Sequence, residues 1–280
     1  MNDTSLQIEI DVAHALHEDV GDGDVTATLL PANQQAEADI ISREPMVVCG
    51  QQWVNEVFHQ LDNQIQIEWR VTEGEWLEEP TTLCTLYGPA KNILTGERTA
   101  LNFLQTLSAT ATQTRTYVQK LQNTPARLLD TRKTLPGLRK AQKYAVTCGG
   151  GFNHRMGLFD AVLIKENHIK ACGSVAQAVA LARKNYKNIF VEVEVENLDE
   201  LREAICAHPD RIMLDNFNLD MLEKAVRLNQ PKHCTLEVSG GVTLENITAI
   251  GKLGIDFISV GAITKSIQAI DLSLLIRNIL

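Results

Sequence analysis

No apolar run in this chain approaches the roughly 20 residues that a helix needs to cross a bilayer, which excludes an integral helical membrane protein. The opening stretch, MNDTSLQIEIDVAHALHEDV, carries acids where a secretory signal has basic residues, and it lacks an apolar core. It predicts a cytoplasmic location. The six cysteines, at 49, 84, 148, 172, 206 and 234, form no C-x-x-C pair and match no zinc spacing. Free thiols, mostly buried as small hydrophobes, are expected. Cys148 beside three glycines reads as tight packing, because no base partner can be assigned to it. No G-x-G-x-x-G follows a strand, so a dinucleotide site lacks support. Asp22-x-Asp24 resembles half a calcium loop but lacks the later glycine and glutamate, leaving too few oxygen ligands.

What is present suits a globular protein. The 280 residues are 44% hydrophobic, enough for a substantial core in one large or two modest domains. The net charge of −9 hides a reversal. Between 131 and 170, Arg132, Lys133, Arg139, Lys140, Lys143, Arg155, Lys165 and Lys170 face only Asp160 and Glu166. A basic island in an acidic chain points to a small anionic ligand rather than to a long nucleic-acid backbone. A solvated helix face accounts for Arg139, Lys140 and Lys143, but not for Arg132, Arg155 and Lys165.

From residue 127 onward a strand–helix rhythm sets in. Strands are expected at 127–130, 160–164, 189–195, 211–214, 235–238 and 256–260. Helices are expected near 136–147, 174–186, 197–207, 218–229 and 243–253. Ser174, Asn197, Asn218 and Thr243 stand as their caps. Alternating β and α elements imply parallel strands with right-handed crossovers. Asp130–Lys133, Lys165, Glu194, Asp215, Ser239–Gly241 and Gly261 fall at or just past strand ends. They converge if the sheet closes on itself, which favours a barrel over an open doubly wound sheet. In VEVEVEN, alternation puts Val191, Val193 and Val195 on one face and Glu192, Glu194 and Glu196 on the other. With helices covering the valines, the glutamates face the barrel interior and need cationic or metal partners there.

The first 125 residues read differently. A helix over 6–17 leads to an acidic turn, then strands near 36–49, 64–71 and 82–87. A long helix over 91–122 follows, with Leu101, Leu104 and Leu107 at helical spacing. The expected fold class is α/β: an incomplete α/β barrel of mainly parallel strands over 126–265, joined to an N-terminal α+β domain over 1–125. The tail, 266–280, is expected to pack back on that first domain.

The blocks LLDTRKTLPGLRKAQKYAVTCGGGFNHRMGL, DAVLIKENHI, VEVEVEN, IMLDN, EVSGG and ISVGAIT occur in that order. Together with HEDVGDGDVTATLLP and GERTALNFLQ, they resemble the type II phosphoribosyltransferases, and within them the quinolinate phosphoribosyltransferase family. The resemblance runs from about residue 8 to 275. It implies transfer of phosphoribose from 5-phosphoribosyl 1-pyrophosphate to quinolinate, with loss of CO2 and help from Mg2+. It also implies a homodimer with shared sites, and no nucleic-acid or membrane partner.

The resemblance further assigns roles. Arg98 from a neighbouring subunit, Arg132, His154 and Arg155 hold the quinolinate carboxylates, and Thr131 lies among the binding residues. Lys133 and Lys165 stand between the two substrates. Glu194 and Asp215 face the ribose hydroxyls and the magnesium-bound pyrophosphate. Lys133, Lys165, Glu194 and Asp215 are the expected catalytic group. Ser239, Gly240 and Gly241, with Val260, Gly261 and Ala262, offer backbone N–H groups to the 5-phosphate. The chemistry agrees, since arginine forks suit carboxylates and hard Mg2+ takes oxygen ligands. Two other readings stay open at this point: a lyase using Lys165 as a Schiff-base nucleophile, and a relative that has kept the fold without the activity.

Overall fold

The computed structural model describes residues 3–31 and 33–280. Its contacts resolve into two compact units. The first takes residues up to 115, together with 135–150 and 265–280; the second takes 116–134 and 151–264.

The elements run in chain order as α1 (Asp3–Val20), β1 (Gln35–Ser42), β2 (Met46–Val47), α2 (Gln51–Leu61), β3 (Gln66–Trp69), β4 (Trp76–Leu77), β5 (Thr82–Pro89) and α3 (Ala90–Lys120). Then come β6 (Arg127–Leu129), α4 (Arg139–Cys148), β7 (Ala161–Ile164), α5 (Glu166–Cys172), α6 (Val175–Asn185), β8 (Phe190–Val195) and α7 (Leu198–Ala207). The chain ends with β9 (Arg211–Asp215), α8 (Leu219–Leu228), β10 (Thr235–Ser239), α9 (Ile247–Gly251), β11 (Phe257–Ser259), α10 (Ala262–Lys265) and β12 (Leu272–Ile279).

An antiparallel sheet of order β12-β1-β5-β3 anchors the first unit. β1 buries Ala36, Ala38 and Ile40, one face of a period-two pattern. The core also takes Trp53, Val54, Val57 and Phe58 from α2, and Leu101, Leu104 and Leu107 from α3. The acidic turn after α1 is structural. Asp24 accepts hydrogen bonds from the N–H groups of Thr26 and Ala27 and from the Thr95 hydroxyl.

Two features of this unit depart from the sequence pattern. Residues 36–49 do not form one strand; the chain turns after Ser42, and α2 follows β2. The boundary expected at 125/126 does not hold for 135–150. α4 packs within the first unit and buries Ala141, Gln142, Lys143, Ala145 and Val146. Lys143 is fully buried rather than on a solvated face, whereas Lys140 is exposed. Gln142, the neighbour of Lys143 and also fully buried, donates to Thr110 Oγ1 and accepts from the Leu135 N–H. The C-terminal tail forms β12, which runs along β1 from Ala36 opposite Ile279 to Ser42 opposite Leu272.

The second unit is built on six parallel strands in the order β6-β11-β10-β9-β8-β7. Among the described residues β6 and β7 do not pair, so the barrel stays open between them. The side chains of Ser174, Asn197 and Asn218 accept first-turn N–H groups and cap α6, α7 and α8. Thr243 does not cap a helix. Asn246 Oδ1 accepts its N–H and its own hydroxyl accepts from Glu245, so a turn delays α9 until Ile247.

Candidate active site

Strand register sets which side chains meet. On β8, Val191, Val193 and Val195 are fully buried on the helix side, and Glu192 and Glu194 turn to the interior. On β9 and β10 the outward residues are Ile212, Leu214, Leu236 and Val238, all buried. Arg211, Met213 and Asp215, with Thr235, Glu237 and Ser239, then share the inner face. Glu196 corrects the expectation: it lies beyond the end of β8 and is exposed, donating its N–H to Glu200.

The interior is charged at its floor. Arg211 lies over the rings of Phe190 and Phe257, 5.1 and 3.9 Å from their centroids. Its guanidinium donates to Glu237 at 2.8 Å. His154 Nε2 lies 2.9 Å from Glu192 and 3.6 Å from Glu237. Glu237 is wholly buried, and that burial, with Glu192 alongside, pushes its carboxyl up to about 7. Burial also raises the carboxyl of Glu192. The two acids thus suit a single shared proton, which leaves one negative charge to meet Arg211.

Above this floor a cavity of about 220 Å³ opens at the carboxyl ends of the strands. It brings together Thr131, Arg132, Lys133, His154, Arg155, Lys165, Glu194 and Ser239, with Leu163, Met213 and Ser259 as a neutral lining. Arg132 and Arg155 lie close enough that Arg132, after burial, is the chief cause holding Arg155 below its ordinary value. Two guanidiniums side by side suit bidentate binding of carboxylates or phosphates. Lys165 pairs with Glu194 at 2.5 Å. Asp215 stands next along: burial and then Glu194 raise its carboxyl, against the pull of Lys165 and Lys133.

The loops are held from behind. Asp130, fully buried at the end of β6, accepts the His154 N–H at 2.9 Å. Asp160 accepts the N–H groups of Met156 and Gly157 and closes the turn after Arg155. The Thr131 hydroxyl accepts the Lys133 N–H, and Thr264 donates to the Lys133 carbonyl. His154 lines this cavity and is also held by the protein. The Arg155 N–H donates to its Nδ1 at 2.7 Å while its Nε2 faces the floor, so both ring nitrogens address protein groups.

Ser239, Gly240 and Gly241 form a turn that only glycine permits. Gly240 has φ +85, and a Cβ there would sit 2.2 Å from Asn216 Oδ1. Gly240 and Gly241 also line a neighbouring cavity of about 540 Å³ with Asn216 and Asn218. Gly261 and Ala262 open α10, where first-turn N–H groups have no helical partner. Val260 is the exception among the expected phosphate donors. Its N–H is committed to the Leu129 carbonyl at 3.0 Å by the parallel ladder. Arg98 lies exposed on α3 in the first unit.

Residue-by-residue reading of the sequence placed Asp130 at a strand end but missed Arg211 and Glu237. The signal was there for both. The alternation that singles out Glu192 and Glu194 places Arg211 and Glu237 inward in RIMLD and TLEVS as well.

Comparisons with known proteins agree with this architecture. The family model for the quinolinate phosphoribosyl transferase N-terminal domain matches residues 24–108, and that for the C-terminal domain matches 110–275. The chain is 40% identical to the probable nicotinate-nucleotide pyrophosphorylase (carboxylating) of Bacillus subtilis over 270 residues, covering 96% of this chain and 93% of that one. It is 39% identical to the nicotinate-nucleotide pyrophosphorylase (carboxylating) of Mycobacterium leprae over 272 residues, covering 94% and 95%. The solved structure of the nicotinate-nucleotide pyrophosphorylase of Francisella tularensis superposes with a TM-score of 0.93 at 50% identity, covering 98% of this chain and 97% of that one. With both domain models matched in order along nearly its whole length, the chain belongs to the quinolinate phosphoribosyltransferase family.

Proposed function

We propose that this protein transfers the phosphoribosyl group of 5-phosphoribosyl 1-pyrophosphate to quinolinate. The products are nicotinate mononucleotide, pyrophosphate and CO2, in the cytoplasmic synthesis of NAD. The observation that carries this reading is the pair Arg132 and Arg155 in one cavity with Lys133 and Lys165. A dicarboxylate and a polyphosphate need such a density of cations. A monocarboxylate such as nicotinate would not.

In this reading Arg132 and Arg155 clamp the two carboxylates, with His154 fixing the loop that carries Arg155. Thr131 orients Lys133. Ser239, Gly240, Gly241, Gly261 and Ala262 receive the 5-phosphate through backbone N–H groups. The C1–O bond of the ribose breaks with oxocarbenium character, and the ring nitrogen of quinolinate takes its place. Loss of the 2-carboxylate as CO2 leaves an electron pair at ring C2, beside Lys133 and Lys165, which takes a proton from water to give the product. Positioning and fixed charge supply the acceleration, and no covalent enzyme intermediate is needed.

Glu194 and Asp215 suit Mg2+. Both are oxygen donors, and the raised carboxyl of Asp215 beside Glu194 marks a crowding of negative charge that a divalent ion relieves. When bound there, the ion neutralises charge on the departing pyrophosphate. The Schiff-base reading is disfavoured, because Lys165 is engaged by Glu194 rather than held in an apolar pocket.

The protein acts as a homodimer in this reading, with Arg98 entering the partner's site. Support comes from large apolar side chains standing in solvent, Leu158 and Phe159 in one unit and Val25 and Leu29 in the other. The test is an assay with both substrates and Mg2+ that follows quinolinate loss and nicotinate mononucleotide gain together. Equal amounts of each are expected; no product, or quinolinate loss without the ribosyl donor, sinks the proposal.

A further inference from the structure

Two thiols of the first unit lie side by side and enter no step above. Cys49 stands between β2 and α2, and Cys148 ends α4. Their sulfur atoms and a carboxylate oxygen of Glu73 all lie within 4.8 Å of one another. Both segments are fastened. The Cys49 N–H donates to Ser108 Oγ, and the Ser108 hydroxyl donates back to the Cys49 carbonyl, each at 3.0 Å. Beside Cys148, Gly149 packs so tightly that a Cβ would lie 2.3 Å from the Ala111 carbonyl oxygen. The sulfurs therefore stay neighbours. Their exposure differs: Cys49 is wholly buried and Cys148 is half-buried.

The cluster is a poor cation site. Glu73 already accepts from the N–H groups of Gly50 and Gln51, at 2.8 and 3.2 Å, closing the start of α2. Two thiols and one engaged carboxylate fall short of the four donors of a structural zinc site. A buried thiol facing a reachable one is instead the arrangement of a resolving and an attacking cysteine.

We propose that Cys148 and Cys49 form a peroxide-reactive pair that closes to a disulfide. The neighbouring Cys49 thiol, and then the Tyr144 hydroxyl, hold the Cys148 thiol below its ordinary value, against partial burial and the charge of Glu73. Burial keeps Cys49 well above that value, and so protonated. In the first step the Cys148 thiolate attacks one oxygen of hydrogen peroxide. The O–O bond breaks, the second oxygen leaves as hydroxide and takes a proton to become water, and Cys148 becomes a sulfenic acid. In the second step Cys49 Sγ attacks the Cys148 sulfur. The S–S bond forms, the S–O bond breaks, and the oxygen leaves as water with the Cys49 proton. Two thiols are oxidised and one peroxide is reduced to two waters.

The test treats the reduced full-length protein with equimolar hydrogen peroxide, followed by non-reducing digestion and mass spectrometry. A linked Cys49–Cys148 peptide pair is expected, lost on addition of dithiothreitol, ahead of any change at exposed Cys206. Cys49→Ser is expected to leave Cys148 as a sulfenic acid trapped by dimedone. Tyr144→Phe is expected to slow the reaction several-fold. First oxidation at Cys206 with the pair left as free thiols overturns the proposal. So does one zinc ion per chain that protects both thiols until it is chelated. The unsubstituted chain decides either way, should a variant fail to fold.

Discussion

The two units treat the same period-two pattern in opposite ways. On β1 the apolar face, Ala36, Ala38 and Ile40, enters the core, and Glu37 and Asp39 take the other side. There Arg277 of β12 reaches both acids, at 3.3 Å each. On β8 the apolar face turns outward to the helices, and the glutamates turn into the barrel. A polar face beside water has water as its second partner. A polar face inside the barrel has only what neighbouring strands and loops provide, hence Arg211 against Glu237 and His154 against Glu192. Both units pack apolar faces, but the second also encloses a charge-matched interior. Binding chemistry belongs to the second, where Arg132, Lys133, Arg155 and Lys165 line one cavity above the charged floor.

Breaking the binding layer should show the largest effect. Arg132→Ala or Arg155→Ala leaves a carboxylate without its fork, a loss on the order of 2–5 kcal/mol in a desolvated site. Separate titrations should show this loss for quinolinate and little change for the ribosyl donor; equal losses for both would mean that the fold was damaged instead.

Breaking the apolar core comes next. Leu104→Ala removes a fully buried side chain from α3 and should cost about 2–5 kcal/mol of stability at every pH, read by denaturant unfolding. A cost that varied with pH would contradict the contrast between the units.

The charged core should behave in the opposite sense. Glu237 ionises near 7 when folded and near its ordinary 4.5 when unfolded. Between those values the unfolded chain has lost the proton that the folded chain keeps, so stability falls as pH rises through this window. Glu237→Gln removes the penalty while still accepting from Arg211. Relative to the natural chain it should be no more stable at pH 4 and up to about 3 kcal/mol more stable above pH 7. A difference independent of pH would show that Glu237 is ionised throughout.

The smallest signal is a partial recovery that concerns the subunits. Arg98→Ala and Lys165→Ala chains are each expected to be inactive alone. Mixed and allowed to exchange, they should regain about a quarter of natural activity, since half the dimers are mixed and half the sites in those are intact. No recovery, with exchange confirmed by mass-tagged chains, would place Arg98 outside the partner's site.

Much of the site was legible because strand ends are written locally. Lys165, Glu194, Asp215 and Ser239 each follow an apolar run, and parallel strands gather such ends at one rim. Val260 was misassigned because sequence does not show which N–H a ladder consumes. Lys143 was misplaced because a polar side chain reads as solvated until its partners are known. The contacts of His154 could not be read locally, because Asp130, Glu192 and Glu237 come from three strands far apart in the chain.

The sequence by itself determined the alternation of strands and helices, the caps at Ser174, Asn197 and Asn218, and the list of cations, since these depend on neighbours a few residues away. Tertiary structure decided the rest. It drew α4 into the first unit, set Glu192 and Glu237 against one His and one Arg, and placed Cys49 beside Cys148. Each of these joins residues far apart in the chain, and burial then changes what a carboxyl or a thiol does. No local pattern carries that information, because the desolvation and the partners exist only once the chain has closed on itself.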